Sequence, residues 1–222
     1  MNIFKGWCAV CEQNTEFHSP DEWFRDHLLC QSCGSLPRER AFFWALTRFY
    51  PEWKSARLHE GSPGPRRVSL RLQQECKRYI GSHFYPDIAR GKSKNGFQSE
   101  DMEALTFKDG SIDLHCHLDV LEHVNRPNQC FKEIARTLAP AGLSIFTTPI
   151  YKDLSATERK AIYFQDGVEH LCTPEYHGNP IDDQGSLVTF HYGQNFSDLI
   201  KLWAPSLSVC RIDLGAVLDN QL

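Results

Sequence analysis

The sequence predicts an α/β protein with a doubly wound, mostly parallel sheet, preceded by a small metal-binding module. Two observations carry this prediction. Short apolar runs alternate with helical patterns from residue 56 onward, and such alternation builds parallel sheets through right-handed crossovers. Four cysteines form two C-x-x-C pairs ahead of that region. We therefore expect a metal-binding module over 1–36, a linking helix over 37–54 and an α/β domain over 55–222.

The composition is that of an ordinary globular chain. Its 222 residues are 41% hydrophobic and 23% charged, which is enough for one full-sized domain and a small appendage. No run approaches the ~18 apolar residues of a membrane helix, and the first residues lack a signal-peptide core. The nine cysteines are an odd and mostly unpaired set, which favours a reducing compartment. We expect a soluble, cytoplasmic protein without membrane contact.

The charge balance bears on nucleic-acid binding. The formal net charge is −4, whereas proteins that bind phosphates through counterion release usually have a basic surface. Arg38 with Arg40 and Arg66 with Arg67 form short basic pairs, although such pairs usually lie on a solvated face. Nucleic acid is therefore a possible but disfavoured partner.

The two C-x-x-C pairs have the spacing of a four-cysteine zinc ribbon. Their members are Cys8, Cys11, Cys30 and Cys33. Two residues between cysteines let both thiolates face one ion, and the spacer between the pairs falls within the zinc-ribbon range. Four ligands without an open position indicate a structural zinc. A redox dithiol would need only one pair, and His18 or His27 is an alternative fourth ligand.

The next segments predict the linking helix and the sheet. Apolar residues recur at helical spacing from Phe42 to Tyr50, and Pro51 ends this helix. The clearest later helix begins at Asn128, and Pro140 ends it. The candidate strands are 56–60, 77–82, 111–118, 142–148, 187–191 and 207–213.

The turn after the first candidate strand is a candidate ligand loop. It reads His59-Glu60-Gly61-Ser62-Pro63-Gly64. Ligands of doubly wound sheets bind at the carboxyl ends of the strands, and glycines let the backbone approach them closely. The helix that follows offers free N–H groups at its N-terminus. Alone, this turn fits a tight connection as well as a cofactor loop.

The longest motif begins at Ser99 and reads SEDMEALTFKDGSIDLHCHLDVLEHVNRPNQCFKEIARTLAPAGLSIFTTP. From Asp101 to Pro149 it resembles the class I S-adenosylmethionine-dependent methyltransferases of the type 11-like kind. There an acid precedes an apolar residue, and L-E-H-V and L-K-P-G-G flank a helix. With the cysteine pairs, the chain resembles a bacterial subgroup that carries an N-terminal zinc ribbon. The resemblance implies a Rossmann-like class I methyltransferase fold and S-adenosylmethionine as cofactor.

The resemblance also implies which residues contact the cofactor. They are Glu60, Gly61, Ser62, Gly64, His83, Asp101, Met102, His117 and Leu118. The loop glycines and Ser62 would face the methionine part, Asp101 would accept the adenine amine, and Met102 would cover the ring. His117 and Leu118 would line the pocket beside the methyl donor.

Two positions depart from the family pattern. His59 and His83 stand where the family usually has acids, of which the second binds the ribose hydroxyls. A neutral histidine is a weaker acceptor than a carboxylate. These two histidines therefore bear mainly on the predicted affinity for the cofactor.

Residues 151–192 form a long polar and aromatic segment, which is typical of a binding loop. The candidates for acceptor contacts are His170, Tyr176, His177, Asp182 and His191. Three of them, His170, His177 and His191, are the candidate catalytic bases, because a histidine near neutral pKa can remove the acceptor's proton. A second metal on His115, His117 and His123 is disfavoured, because His123 falls in the next helix rather than on their strand face.

The predicted function is methyl transfer from S-adenosylmethionine to a small-molecule or sugar-type acceptor. One alternative is an RNA methyltransferase that uses the zinc ribbon to bind RNA. The other is a non-catalytic, zinc-dependent binding or scaffold protein that has lost the cofactor acids. The family closes its sheet with a final antiparallel pair of strands. Here residues 218–222 come soon after the candidate strand 207–213, so either the last strand is missing or the sheet is completed in another way. The oligomeric state does not follow from the sequence.

Overall fold

The computed structural model describes residues 1–65, 67–181 and 183–212. The strands are β1 (Asn2–Cys8), β2 (Gln13–Ser19), β3 (Leu29–Cys30), β4 (Arg57–Gly61), β5 (Arg78–His83), β6 (Ser93–Lys94), β7 (Phe97–Ser99), β8 (Ile112–Leu118), β9 (Leu138–Thr147), β10 (Glu158–Arg159), β11 (Ala161–Phe164), β12 (Gly167–His170), β13 (Tyr176–His177), β14 (Ser186–Leu187) and β15 (Phe190–His191). The helices are α1 (Phe24–His27), α2 (Pro37–Phe49), α3 (Arg67–Glu75), α4 (Pro127–Thr137) and α5 (Phe196–Trp203), with 3-10 turns at Trp53–Ser55 and Leu121–His123.

The central sheet has six strands in the order β6-β7-β5-β4-β8-β9. All neighbours in it are parallel except β6 and β7. The chain builds outward from β4 to β7 and then returns to place β8 on the other side of β4. The predicted α/β class with a mostly parallel, doubly wound sheet is confirmed. Because the strand order reverses between β4 and β8, the carboxyl ends of these strands form the topological switch point, where such folds bind ligands.

The N-terminal module is a three-stranded antiparallel sheet, β1-β2-β3. Helix α2 connects it to the central sheet, and its apolar residues Phe42, Phe43 and Leu46 are buried as their spacing predicts. The Glu39 carboxylate accepts a hydrogen bond of 2.8 Å from the Leu36 N–H and so caps the first turn. One hydrophobic cluster contains residues of the module, α2, α3 and β4. The module and the central sheet therefore share one core.

A second hydrophobic cluster covers the other face of the sheet. It contains buried residues of α4 and α5, such as Phe131 and Ile200, together with Tyr192 of the long segment. The Tyr192 hydroxyl donates to the Leu121 carbonyl oxygen at 2.7 Å. This hydrogen bond and an isolated bridge between Ile150 and Tyr192 hold the end of the long segment close to the carboxyl edge of the sheet.

Two sequence-based predictions differ from the structure. Helix α4 ends at Thr137, before Pro140, because Leu138 already pairs with Ile112 in the sheet. The register then shifts before Leu114, which accommodates the extra residues around Pro140 in a bulge. The strand predicted over 187–191 lies outside the central sheet, since Leu187 and Phe190 belong to separate two-stranded sheets.

The C-terminal strand predicted over 207–213 is not formed in residues 207–212, and residue 213 lies outside the described residues. The prediction about 218–222 falls there too. Strands β6 and β7 were not predicted, because they are only two and three residues long. Within the described ranges, no helix has both the length and the apolarity to cross a membrane.

Candidate functional site

The four predicted zinc ligands lie together: Cys8 and Cys30 end β1 and β3, and Cys11 and Cys33 lie in the turns that follow them. Their Sγ atoms are all within 4.8 Å of one another. Cys8 is 3.8 Å from Cys33, and Cys11 is 3.8 Å from Cys30, measured between sulfur atoms. Zn–S bonds of about 2.3 Å place the sulfurs of a tetrahedral site about 3.8 Å apart. The donor set and its spacing therefore fit zinc.

Polar groups around the cysteines support this arrangement. The buried Ser35 hydroxyl lies 3.1 Å from Cys33 Sγ and 3.5 Å from Cys8 Sγ. Arg40 donates to the Ser35 and Leu28 carbonyl oxygens and stacks over Phe17 at 4.4 Å. Gly34 adopts a φ of 70°, so its N–H turns back to the Cys30 carbonyl at 2.7 Å. The loop is thus pre-formed for both cysteines.

Two arginines of α3 connect this module to the central sheet. Arg67 donates to the Cys33 carbonyl oxygen at 3.0 Å. Arg71 donates to the Val10 carbonyl oxygen at 2.6 Å and stacks over Phe43 at 4.4 Å. His18 and His27, the alternative zinc ligands, instead bond to the carboxylates of Glu16 and Asp21, each at 2.9 Å.

A row of hydrogen bonds crosses the sheet below the switch point. His59 Nε2 lies 2.7 Å from Ser82 Oγ, and His59 Nδ1 lies 2.9 Å from His115 Nδ1. His115 Nε2 lies 2.8 Å from Thr137 Oγ1, and that hydroxyl donates to the Glu133 carbonyl oxygen at 2.7 Å. With Thr137 as acceptor, His115 carries its proton on Nε2, His59 on Nδ1, and Ser82 donates. Burial lowers the pKa of His59 to about 3 and that of His115 well below 6.5, so both rings are neutral.

The structure brings several of the implied cofactor residues together at the switch point. A Cβ at Gly61 would lie 3.3 Å from Met102 Sδ and 3.6 Å from His117 Cβ. Ser62 has a φ of 57° and donates its N–H to the Ser82 carbonyl oxygen at 2.7 Å. His117 is fully buried and stacks on Phe146 with 4.9 Å between ring centroids. Neither of its ring nitrogens has a hydrogen-bond partner in the described part of the chain.

His83 ends β5 and lines a cavity of about 180 Å³ with Gly64, Phe97 and Pro180. Its Nδ1 is also buried without a partner among the residues described. Burial lowers the pKa of His83 to about 4, so the ring is neutral. Pro180 belongs to the long segment, which therefore reaches over the first loop. A separate groove of about 380 Å³ near Gln73 and Gln98 contains none of the implied cofactor residues.

Glu60 and Asp101 already have protein partners. The Glu60 carboxylate accepts from Ser69 Oγ at 2.6 Å and from the Tyr79 hydroxyl at 2.8 Å. Burial raises its pKa to about 7. Asp101 Oδ1 accepts from the Glu103 N–H at 2.8 Å, and burial raises the pKa of this acid as well. Leu118, the last implied residue, ends β8 half-buried against the first hydrophobic cluster.

The candidate bases of the long segment occupy different places. His170 is exposed on β12. His177 Nε2 and His191 Nε2 both bond to the Glu175 carboxylate, at 3.0 and 2.7 Å. Tyr176 is exposed on β13, and Asp182 lies outside the described residues. His191 also stacks on Tyr151, with ring centroids 4.1 Å apart.

Sequence reasoning missed two acids, Glu122 and Glu175, that the fold brings to these histidines. Glu122 follows β8 and belongs to the L-E-H-V motif. Glu175 lies in an irregular segment that carries no recognisable spacing. Its hydrogen bond to His191 forms because the folded segment brings these two residues together, and no local sequence pattern predicts that contact.

Comparison with known proteins gives one family match. Residues 60–146 match the sequence profile of the family described as Methyltransferase domain. This stretch contains the end of β4, the switch point, β8 and most of β9. No curated protein matches the chain.

Three solved structures align with parts of this chain. An S-adenosylmethionine-dependent methyltransferase from Mesorhizobium loti aligns over 81% of this chain and 88% of its own, with 16% identity and a TM-score of 0.51. The PH0226 protein from Pyrococcus horikoshii aligns over 78% and 86%, with 18% identity and a TM-score of 0.46. The YcgJ protein from Bacillus subtilis aligns over 45% and 47%, with 18% identity and a TM-score of 0.38.

The first of these structures supports the class I methyltransferase fold for this chain, and at its level of identity it supports the fold alone. The chain spans about half the length of the YcgJ protein. Over residues 60–146 the chain is similar to a methyltransferase domain.

Proposed function

We propose that this protein transfers a methyl group from S-adenosylmethionine to a small-molecule or sugar-type acceptor. The observation that carries the proposal is the set of three ring nitrogens, on His83 and His117, that have no partner among the described residues and lie near the carboxyl ends of β5 and β8, on either side of β4. Buried polar atoms are normally hydrogen-bonded, so orphans at a switch point favour a ligand that supplies their partners. The methyltransferase profile over 60–146 supports the same site.

The residues present fit this cofactor. His83 lines the cavity beside Gly64 and would hydrogen-bond a ribose hydroxyl in place of the usual acid. Asp101 would accept the adenine amine, and Met102 would cover the flat ring. His117 would contact the methionine end beside Gly61. When bound, the cofactor supplies an electrophilic methyl group on a sulfonium.

The cavity of about 180 Å³ is smaller than the ~300 Å³ at the lower end of ligand pockets, so the cofactor needs additional space. The segment around Pro180 forms one wall of the cavity, and this segment is otherwise held by short, two-residue strands such as β13 and β14. Short strands make few backbone hydrogen bonds and open at low cost. We expect this segment to move away from the first loop when the cofactor binds.

The long segment also supplies the general base in this proposal, and His191 is the favoured one. The Glu175 carboxylate accepts the Nε2 proton of His191 at 2.7 Å, which leaves Nδ1 as the free base. Stacking on Tyr151 fixes the ring just beyond β9. Methyl transfer needs alignment and one proton acceptor, and a positioned histidine supplies both. The net charge of −4 and the polar segment favour an uncharged, hydroxylated acceptor over nucleic acid.

The zinc ribbon has a structural role in this proposal. Its four cysteines leave no open position, and Arg67 and Arg71 tie it to α3, which begins directly after the cofactor loop. Zinc would hold that helix in place without contacting the acceptor.

The proposal is tested by calorimetric titration of the zinc-loaded chain with S-adenosylmethionine and S-adenosylhomocysteine. We expect micromolar binding of both, and a loss of about 1–3 kcal/mol with Asp101→Ala, because a buried partner of the adenine amine is removed. Asp198→Ala is the matched control, since Asp198 is an exposed aspartate on α5 whose side chain is 77% exposed. This variant is expected to bind both ligands as the natural chain does.

Absence of binding to a folded, zinc-loaded chain would overturn the proposal and favour the non-catalytic scaffold. Equal losses in Asp101→Ala and Asp198→Ala would place the cofactor elsewhere. Salt-sensitive binding of an RNA fragment together with cofactor binding would retain the enzyme class and change the acceptor.

A further inference from the structure

A second group of metal-ligating side chains lies at the carboxyl edge of the sheet, away from the four cysteines. Glu122 and His123 belong to the 3-10 turn that follows β8, and His177 belongs to β13. One ligand atom from each lies within 4.8 Å of the others. His123 Nε2 is 3.9 Å from Glu122 Oε1, and the two imidazole rings are nearly perpendicular with centroids 5.2 Å apart.

Hydrogen bonds to the outer nitrogens set the tautomers of both histidines. His123 Nδ1 donates to the Leu187 carbonyl oxygen at 2.9 Å, which leaves its Nε2 with a lone pair. His177 Nε2 donates to Glu175 Oε1 at 3.0 Å, which leaves its Nδ1 with a lone pair. Metal-binding histidines almost always donate their second N–H to a carbonyl or a carboxylate in this way.

Glu122 provides independent evidence for a ligand at this site. Its side chain is only 2% exposed, and Oε2 accepts a hydrogen bond of 3.1 Å from Thr148. Oε1, the atom that faces His123, is buried and has no hydrogen-bond partner in the described ranges. A buried carboxylate oxygen without a partner is costly, and a cation removes that cost.

We propose that Glu122, His123 and His177 bind a divalent transition-metal ion of the zinc type. Two imidazoles and one carboxylate suit zinc and its neighbours rather than magnesium or calcium, which prefer oxygen ligands. Bonds of about 2.0–2.1 Å would bring the ligand atoms about 3.3 Å apart, so His123 Nε2 and Glu122 Oε1, which are 3.9 Å apart, would approach each other by about 0.6 Å on binding. His177 lies half-buried on a two-residue strand and accommodates this movement.

Three protein ligands leave one position of a tetrahedral ion open. Sites of this kind bind a water molecule or a substrate oxygen at the open position, whereas four-cysteine sites are closed. This ion is therefore expected to exchange with solvent more readily than the ribbon zinc. The proposal concerns metal binding and does not depend on methyl transfer.

The test uses the full chain with its cysteine site first filled by one equivalent of zinc. Co²⁺ is then added, and absorption is followed in the visible region. We expect a second equivalent of metal with ligand-field bands and without the intense thiolate charge-transfer bands of a cysteine site. Glu122→Gln and His177→Ala are each expected to weaken this binding by more than about 100-fold, since each removes a direct ligand.

Two further variants separate ligands from neighbours. His170→Ala changes an exposed histidine of β12, in the same segment, and is expected to bind Co²⁺ normally. Glu175→Gln keeps the shape of the positioning residue and is expected to weaken binding by about 10–100-fold while preserving the stoichiometry. The near-ultraviolet circular dichroism of each variant checks that the chain remains folded.

Two results would overturn the proposal: no second equivalent of metal in the zinc-loaded chain, or second-site binding that is unchanged in Glu122→Gln and His177→Ala. The S-adenosylmethionine titration is run on the same zinc-loaded protein preparations before Co²⁺ is added. Because cofactor binding is measured without Co²⁺, failure of the metal site and failure of the proposed function give different combinations of results.

Discussion

The four-cysteine cluster and the Glu122–His123–His177 cluster both consist of side chains that can bind a metal, but they are built differently. The cysteines come from two tight turns and lie within the core that the module shares with α2 and β4. The second cluster joins the turn after β8 to a distant two-residue strand at the edge of the sheet. The cysteine cluster is part of the core, whereas the second cluster connects the edge of the sheet to a loop.

This difference indicates what each cluster contributes. The cysteine cluster offers four ligands to the proposed zinc, and without that ion its thiols would be packed among apolar residues such as Val10 and Phe17. The second cluster has three ligands and lies where the long segment meets the sheet. We expect the cysteine cluster to determine the stability of the fold and the Glu122–His123–His177 cluster to determine which ligands bind. The predictions that follow test this division, beginning with the largest effect.

Cys8→Ser is expected to have the largest effect on stability. Cys8 is completely buried, and its sulfur is one of the four zinc ligands in the proposal. The loss of a structural metal transmits to the shared core, so the thermal midpoint is expected to fall by at least about 10 °C, at ~2–4 °C per kcal/mol. The measurement is thermal unfolding by circular dichroism, together with the zinc content of each sample.

Cys172→Ser is the matched control for that variant, since Cys172 is an exposed cysteine outside the cluster. Its midpoint and zinc content are expected to equal those of the natural chain. A zinc-free Cys8→Ser chain with an unchanged midpoint would show that the cysteine cluster does not stabilise the core.

Acid is expected to have the next largest effect, through buried titratable groups of the central sheet and the turn after β8. Four buried histidines have lowered pKa values and stay neutral: His59, His83, His115 and His117. In the unfolded chain they titrate near 6.5, so from pH 6.5 down to about 4 the unfolded state binds more protons. By linkage, the free energy of unfolding falls as the pH falls through this window.

Two buried glutamates act in the opposite direction. Burial raises the pKa of Glu60 to about 7 and that of Glu122 to about 8, so between pH 4.5 and 7 the folded state holds protons that the unfolded state has lost. Near pH 5.5 the two protons that the glutamates hold in the folded state offset about two of the four that the histidines bind in the unfolded state. The net loss is then about 2–3 kcal/mol per pH unit, measured by urea unfolding between pH 6.5 and 5.

Glu122→Gln sharpens this measurement, because it removes one of the two opposing groups. Its acid dependence is expected to be steeper by about 1.4 kcal/mol per pH unit. A free energy of unfolding that stays constant over this pH range in the natural chain would mean that the histidines are accessible to protons in the folded state.

The sequence predicts the cysteine cluster and the switch point for the same physical reason. C-x-x-C spacing and the alternation of β8 are local, so they fix where Cys8 or His117 points before the fold is known. His123 lies in the 3-10 turn after β8 and not on the strand face of His115 and His117, as the sequence indicates. It does not reveal that His123 meets His177 instead.

The second cluster depends on contacts between segments far apart in the chain. Strands β13 to β15 have two residues each and no clear periodicity. Hydrogen bonds to the turn after β8 fix their position. For example, the Thr189 hydroxyl donates to the Glu122 carbonyl oxygen at 2.9 Å. The role of Glu175 between His177 and His191 arises in the same way. Local pattern cannot predict such a site, since tertiary closure decides it.

His177→Ala is expected to have the smallest effect on stability, in contrast to its effect on metal binding. The side chain is 34% exposed, and its partner Glu175 keeps the hydrogen bond to His191 when His177 is removed. A loss within about 0.5 kcal/mol is therefore expected in urea unfolding without added metal, similar to that of His170→Ala. A loss comparable to that of Cys8→Ser would contradict the division between the clusters, because it would make the edge of the sheet as important for folding as the shared core.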